Sequence, residues 1–373
     1  MENKAIKFRI YPTSEQRIMF AKTFGCCRKV FNLMLADKIH SYEETKTFGK
    51  QTPAMYKEKY PYLKEVDSLA LANAQRNLER AFKNCFSSKH CKFPKFKSNK
   101  GSRKSYTTNN QKGTIEVCEK SIKLPKIGKV KAVIHRTPSD EWKLKSATIS
   151  QDSDGKYYIS VLYEYSIDII PVSKDTTNSI GLDYKSDGLY MDSNGSIGSN
   201  HKYYRISQKQ LARAQRILAR RQGSKKGEVK SKNYLKQQRK VGKIYKHTAN
   251  QRKDNLHKTS TEIANQYDVV CVEDLNMKAL ANKGFGNGKS TCDNGYGLLL
   301  TMLNYKLENR GKYFIKVGKW YPSSQICNCC GSKQKLKLSD RIYSCSCGYV
   351  GSRDKNAAIN ILREGMRILK EKA

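Results

Sequence analysis

The chain has 373 residues and a mass of 42.6 kDa, which predicts two or three domains. Its net charge of +39 favours a polyanionic partner, nucleic acid above all, over the alternative of a membrane-surface or simply soluble basic protein. No apolar run approaches the roughly 18 residues of a membrane-spanning helix, and residues 1–10 lack the apolar core of a secretory signal. We therefore expect a cytoplasmic protein whose 12 cysteines are thiols or metal ligands, not disulfides.

The first hundred residues predict one strand followed by helices. Residues 4–12 alternate in polarity as a strand does. Thr13 or Ser14 can cap a helix that continues to about Tyr42, and apolar spacing predicts a second helix from about Asp67 to Phe86. We assign residues 14–104 to a helical recognition module.

The spacing of apolar residues along the chain changes after residue 97. Five short strand candidates, separated by turn residues, lie between residues 114 and 163. They predict a small antiparallel β-barrel that also takes in the first strand, so that the helical module is an insertion. This barrel, or wedge domain, comprises residues 1–13 and 105–172, and residues 168–178 resemble a linker.

From residue 180 the pattern is α/β, so the whole chain is predicted to be an α+β multidomain protein. Residues 180–184 form a strand, and residues 188–191 are its expected antiparallel neighbour. Further strands are expected at residues 268–273 and 313–317, and helices at about 207–267, interrupted near 223–227, at about 295–310, and from near Asn356.

The long helical region is strongly basic. Residues 201–260 contain 19 Lys and Arg but only 2 Asp and Glu. A solvated helix face is the ordinary origin of a charge run, but isolated helices do not favour charges of nearly uniform sign. We therefore predict nucleic-acid contacts here. The candidate residues are Arg213, Arg216, Arg220, Arg221, Lys236, Arg239 and Lys240.

Five cysteines cluster between residues 327 and 347. Cys327-x2-Cys330-Gly and Cys345-x-Cys347-Gly have the pattern of a zinc ribbon, in which four sulfurs about 2.3 Å from Zn²⁺ leave no open position for catalysis. Cys329 is an alternative to Cys330, which we prefer because a glycine follows it. We expect structural Zn²⁺ in an insertion at residues 326–348; five cysteines without a metal are the alternative.

Three acidic residues are candidate catalytic ligands. Asp183 and Glu273 end apolar strands, and Asp354 lies at the N-terminus of a helix. Carboxylates at such edges can converge, and three of them can hold two Mg²⁺ ions about 3.5–4 Å apart for phosphodiester hydrolysis. Spacing alone is weak evidence for this role, because acids end strands for many reasons and Asp354 could simply cap its helix.

Several short motifs follow one another in a fixed order along the chain. Together they resemble the TnpB family, transposon-encoded RNA-guided DNA endonucleases related to type V CRISPR effectors, over essentially the whole length. The motifs are residues 8–13 (FRIYPT), 28–32 (RKVFN), 77–82 (NLERAF), 93–97 (FPKFK), 123–128 (KLPKIG), 181–183 (GLD), 272–275 (VEDL), 321–325 (YPSSQ) and 353–358 (RDKNAA).

This resemblance implies a RuvC-like nuclease domain of RNase H fold at residues 178–325 and 349–373. Asp183, Glu273 and Asp354 would be its Mg²⁺-binding acids. The implied partners are a guide RNA from the transposon end and double-stranded DNA beside a short flanking motif, bound by a monomer in a bacterial or archaeal cell, associated with the nucleoid. Base pairing would then select the target sequence.

Two positions depart from the family pattern. The family usually has glycine where this chain has Lys185, and aspartate where it has Ser352. Lys185 could crowd the metal site or point away from it. It therefore sustains one alternative function, an RNA-guided regulator that has lost cleavage; a transposase that joins DNA strands itself is another.

A glycine-rich segment at residues 284–290 resembles a phosphate-binding loop. The P-loop spacing fails because Lys283 stands where its first glycine would be. We expect a flexible lid near the active site instead.

Overall fold

The computed structural model describes residues 2–88, 91–99, 103–222, 230–282, 288–337 and 340–371. The chain divides into two compact units, Met1–Ile167 and Asp168–Ala373. Across the described ranges, no helix combines the length and apolarity needed to cross a membrane.

The first unit contains a seven-stranded antiparallel sheet. Its strands are β1 (Glu2–Tyr11), β2 (Lys104–Asn109), β3 (Glu116–Val117), β4 (Ser121–Leu124), β5 (Gly128–Val133), β6 (Lys143–Gln151) and β7 (Tyr157–Tyr165). The spatial order is β2-β6-β7-β1-β5-β4-β3, so the first strand lies inside the sheet, as predicted. The sequence patterns did not predict β2. Between the described residues, no strand pairing joins the edge strands β2 and β3 to close a barrel.

Helices cover this sheet. They are α1 (Ser14–Thr45), α2 (Tyr56–Lys59) and α3 (Ser68–Ser87). Thr13, one of the two predicted caps, begins helix α1 with a capping box: Thr13 Oγ1 accepts a hydrogen bond from the Gln16 amide at 3.3 Å, and Gln16 Oε1 accepts one from the Thr13 amide at 3.1 Å. Phe8 of β1, Phe20 of α1 and Leu71 of α3 are fully buried in one shared core.

In the residues that the structure describes, the second unit combines a four-stranded sheet, a two-stranded hairpin and six helices. The elements are β8 (Ser179–Tyr184), β9 (Tyr190–Asp192), α4 (Tyr203–Arg220), α5 (Lys232–Gln266), β10 (Val269–Glu273), α6 (Met277–Leu280), α7 (Gly288–Asn294), α8 (Tyr296–Glu308), β11 (Tyr313–Val317), β12 (Ile342–Ser344), β13 (Val350–Ser352) and α9 (Arg353–Glu371).

The sheet has the order β11-β10-β8-β9. Strand β10 pairs in parallel with β8 and β11, and β9 pairs antiparallel to β8, as predicted. Helices α5 and α8 pack on one face through Leu256, Ile263 and Leu303, and α9 supplies Ile361 and Leu369 to a second core. Burial on both faces explains why residues 269–272 are all apolar. Helix α9 begins three residues earlier than predicted.

Candidate active site and cysteine cluster

The three predicted acids lie on adjacent elements of the second unit. Asp183 is in β8, Glu273 ends β10, and Asp354 is in the first turn of α9. Leu182 is the register partner of Val272, so Asp183 and Glu273 extend from the same edge of a parallel pair. The strand register therefore brings the first two carboxylates together.

A glycine lets α9 lie directly on the sheet. A Cβ atom added to Gly181 would lie 2.2 Å from the backbone oxygen of Ala358, closer than any side chain allows. This close approach holds the N-terminal half of α9 against β8. Consequently Asp354, one turn before Ala358, reaches the strand edge that carries Asp183.

The charges of Glu273 and Asp354 act on Asp183. Burial, and then the negative charges of Glu273 and Asp354, hold the pKa of Asp183 well above its usual value, while Arg353 opposes the shift. Burial also raises the pKa of Glu273. A divalent cation would relieve this repulsion, because its charge favours ionised carboxylates.

Lys185 reaches into this cluster. Its Nζ donates to Asp354 Oδ2 at 2.7 Å and lies 3.6 Å from Asp187 Oδ1. The hydrogen bond to Asp354 raises the pKa of Lys185. Of the two orientations considered for this lysine, the structure therefore shows the one that crowds the site.

Ser323 and Asn360 support Glu273, and sequence reasoning assigned neither of them a role. Ser323 Oγ donates to Glu273 Oε1 at 3.0 Å, which partly offsets the rise in the pKa of Glu273. The buried side chain of Asn360 in α9 donates to the backbone oxygen of Ser323 at 2.9 Å. Helix α9 thus holds the loop that orients Glu273. The available signal was the YPSSQ motif, which contains Ser323.

Four of the clustered cysteines converge. The Sγ atoms of Cys327 and Cys347 are 3.7 Å apart, and those of Cys330 and Cys345 are 3.6 Å apart. All four sulfurs lie within 4.8 Å of one another. Among the described residues this is the one set of three or more metal-ligating side chains that meets that limit. The carboxylate oxygens of the three acids are therefore farther apart than the four sulfurs. Cys329 is exposed and outside the set.

The cysteines lie on two tight turns. Gly331 (φ +77°) and Gly348 (φ +90°) adopt left-handed conformations that favour glycine. Their amides donate to the backbone oxygens of Cys327 and Cys345, each at 3.0 Å. Strands β12 and β13 pair next to the second turn, and α9 begins directly after β13.

Buried asparagines fix this lobe to α9. Asn356 Nδ2 donates to the backbone oxygen of Ile326 at 2.7 Å, and Asn356 Oδ1 accepts from the Asn328 amide at 2.9 Å. Asn360 Nδ2 donates to the same Ile326 oxygen at 2.6 Å. The cysteine lobe is therefore bonded to the first two turns of the helix that carries Asp354.

The predicted nucleic-acid contacts lie along a helical hairpin. Helices α4 and α5 pack through Leu211, Ala214, Val241 and Ile244. This small apolar contact leaves the basic side chains on the outside. Arg213, Arg216, Arg220, Arg221, Lys236, Arg239 and Lys240 are all exposed.

The glycine-rich segment lies partly outside the described residues, which omit positions 283–287. Its last three residues, 288–290, begin helix α7. In the same helix the buried Asp293 accepts a hydrogen bond from the Tyr204 amide at 2.8 Å, which caps the start of α4. This acidic contact was not predicted.

Three family models match the chain. They are described as "Helix-turn-helix domain" over residues 1–47, "Probable transposase" over residues 160–283 and "Cas12f1-like, TNB domain" over residues 296–361. The first matched range contains strand β1 and the whole of the long helix α1. Its described part, residues 2–47, does not contain two helices joined by a turn. The third range contains Asp354 and the four cysteines.

Similar proteins cover nearly the whole chain. A "Putative RNA-guided DNA endonuclease" of Streptomyces pristinaespiralis is 33% identical over 97% of this chain and 89% of its own length. The "Putative RNA-guided DNA endonuclease InsQ" of Escherichia coli K12 is 30% identical over 98% and 93%. The fold resembles that in the Cas12f1-sgRNA-target DNA complex (TM-score 0.59, 13% identity, 96% of this chain and 98% of that chain).

The two relatives are named as members of one class of protein, the RNA-guided DNA endonucleases. The chain belongs to the TnpB family within it.

Proposed function

We propose that this protein is a transposon-encoded, RNA-guided DNA endonuclease that hydrolyses phosphodiester bonds with metal ions held by Asp183, Glu273 and Asp354. The observation that carries the proposal is the convergence of these acids on adjacent elements, where burial and then the charges of Glu273 and Asp354 raise the pKa of Asp183. Two relatives with RNA-guided endonuclease names align over almost the entire chain.

The donor set suits Mg²⁺, because Mg²⁺ prefers carboxylate oxygens. When bound at such a site, Mg²⁺ activates water and stabilises the leaving oxygen of the phosphodiester. The chain itself supplies rigid placement: β8 and β10 fix Asp183 and Glu273, Ser323 orients Glu273, and α9 brings Asp354 to them.

The four-cysteine set suits structural Zn²⁺. A tetrahedron with Zn–S bonds of about 2.3 Å has S–S edges of about 3.8 Å. The measured pairs, at 3.7 Å and 3.6 Å, fit those edges with little movement. Cys327, Cys330, Cys345 and Cys347 would close the coordination shell, so the ion would stabilise the lobe and leave no position for substrate.

We assign the nuclease domain, RuvC-like and of RNase H fold, to residues 178–325 and 349–373, with the zinc ribbon at 326–348. The wedge domain, a β-barrel, would comprise residues 1–13 and 105–172, and the helical module residues 14–104. The mixed sheet with acids at neighbouring strand ends and on α9 supports the first assignment. The antiparallel pairing of β1 with both β7 and β5 supports the assignment of the wedge domain.

Guide RNA and double-stranded DNA are the proposed partners of a monomer. The exposed basic residues of α4 and α5 would contact phosphates, while base pairing selects the target. All three acids are present, which disfavours a regulator that has lost cleavage.

The test is guided cleavage by the purified complex. The protein is co-expressed with its flanking transposon DNA, the copurified RNA is sequenced, and a plasmid library carrying the matching target with randomised flanks is supplied with Mg²⁺. We expect linear plasmid only where target and flanking motif are present. Target binding without cleavage would favour the regulator, and DNA joining without RNA would favour a transposase.

A further inference from the structure

A lysine ammonium lies on one of the three proposed metal-binding carboxylates. We infer that Lys185 serves as a built-in counterion at Asp354, so that a metal ion can bind Asp354 only by displacing it. The inference rests on the proposed function and extends it, because it concerns how readily the site takes up metal.

The ion pair is close and partly shielded. Lys185 Nζ and Asp354 Oδ2 are 2.7 Å apart, and the two side chains retain 18% and 16% of their exposure. Arg353 brings a second cation near Asp354, at 3.8 Å, so Lys185 makes the shorter contact. Because charge interactions strengthen as solvent is excluded, this pair competes better than one on the surface.

The position of Lys185 in the chain directs it to Asp354. It is the first residue after β8, two beyond Asp183, and its backbone oxygen accepts a hydrogen bond from the buried side chain of Asn294 at 3.5 Å. A glycine at this position, as the family pattern has, would leave Asp354 without this counterion.

A second carboxylate offers the ammonium an alternative partner. Asp187 Oδ1 is 3.6 Å from Lys185 Nζ, and the Asp187 side chain is 75% exposed. A displaced lysine can therefore pair with Asp187 at the solvent boundary without remaining as an unpaired cation beside the metal. When a metal ion binds, Lys185 exchanges Asp354 for Asp187. The free-energy cost of displacing the lysine is then the difference in stability between those two ion pairs.

A structural role is the competing hypothesis, since Lys185 also links the end of β8 to α9. The two roles predict opposite effects of removing the charge. If Lys185 only tethers α9, its loss loosens Asp354 and weakens metal binding. If it competes with metal, its loss strengthens metal binding. Lys185→Met keeps the length and bulk of the side chain without the charge, and Lys185→Arg keeps the charge as the matched control.

The experiment measures Mn²⁺ binding to the RNA-bound protein by electron paramagnetic resonance. A complex of the Asp183→Asn, Asp354→Asn double variant gives the background of Mn²⁺ bound by the RNA. We expect Lys185→Met to bind Mn²⁺ at least about fivefold more tightly than wild type, the change for loss of one partly shielded ion pair, and Lys185→Arg to stay near wild type. The Mg²⁺ concentration for half-maximal cleavage should fall in the same ratio.

The outcomes separate this inference from the proposed function. Equal or weaker Mn²⁺ binding by Lys185→Met, with site-specific binding by wild type, would overturn the counterion role and leave the metal site standing. Binding by wild type no greater than the background would overturn the metal site and the counterion role together.

Discussion

The side-chain oxygen of Asn356 accepts two hydrogen bonds from Asn328, one from the backbone amide and one from Nδ2, each at 2.9 Å. Asn328 lies inside the first cysteine turn, and Asn356 is two residues after Asp354. The contact therefore links the folding of the cysteine lobe to the position of the third acid.

Asn356→Ala should uncouple the lobe from α9. It removes the acceptor for Asn328 and one of the two donors to the Ile326 oxygen, at about 0.5–1.5 kcal/mol for each hydrogen bond lost. We expect a lower melting temperature and slower guided cleavage at unchanged zinc content. Loss of zinc as well would show that the asparagine instead holds the cysteines together.

Cys345→Ser should impair cleavage although it touches no acid. It removes one of four converging sulfurs, so bound zinc measured by elemental analysis should fall from about one ion per chain to near zero. Cys329→Ser is the matched control, because Cys329 is exposed and outside the set; it should keep its zinc and its activity. A Cys345→Ser protein that lacks zinc but cleaves at the wild-type rate would refute the coupling.

Gly181→Ala should push α9 off the sheet. The added Cβ would meet the Ala358 backbone oxygen at 2.2 Å, and backbone cannot rotate away as a side chain can. We expect destabilisation by about 1–3 kcal/mol in chemical denaturation, with a loss of cleavage from the displaced Asp354. Gly25→Ala in α1 has no atom within 4 Å of the new Cβ and should be neutral or slightly stabilising. Similar effects of both changes would contradict this packing.

Lys306 should make stability depend on pH. Burial is the main reason why its pKa is lowered to about 8, and its Nζ donates to the His257 oxygen and to the hydroxyls of Ser260 and Thr261. Between pH 8 and the ordinary lysine pKa of about 10.5, the unfolded chain binds more protons than the folded one, so folding gains stability as pH rises.

Lys306→Met isolates this effect. The stability of wild type relative to the variant should rise by at most about 1.4 kcal/mol per pH unit across that window and level off below pH 8. Paired denaturation curves from pH 7 to 10.5 measure it. A constant difference between the two proteins would mean that Lys306 keeps an ordinary pKa.

Local patterns predicted much of the second unit and the capped start of α1 in the first unit. The strand that ends in Glu273 is buried on both faces, so its apolar run was visible, and the capping box of α1 depends on only four residues. The choice of Cys330 over Cys329 rested on the following glycine, and the structure brings Cys330 into the set. Such features are encoded within a few neighbouring residues.

Long-range contacts were not predictable in this way. The bonds from Asn356 to Asn328, from Asn360 to Ser323 and from Asp293 to the start of α4 join residues 28 to 89 positions apart. Their local sequence looks like ordinary helix or loop. The orientation of the Lys185 side chain could not be predicted either, because it depends on where α9 places Asp354. Strand β2, rich in Thr and Ser, lacked the apolar alternation that reveals a strand.

The most direct test of the account is guided plasmid cleavage by the Asp183→Asn complex in Mg²⁺, compared with wild type at equal target binding. Asparagine keeps the shape of the side chain but removes the charge that the proposed metal site needs. We predict at least about a hundredfold loss of cleavage rate with target binding retained. Cleavage at the wild-type rate would contradict the assignment of the acidic cluster as the nuclease site.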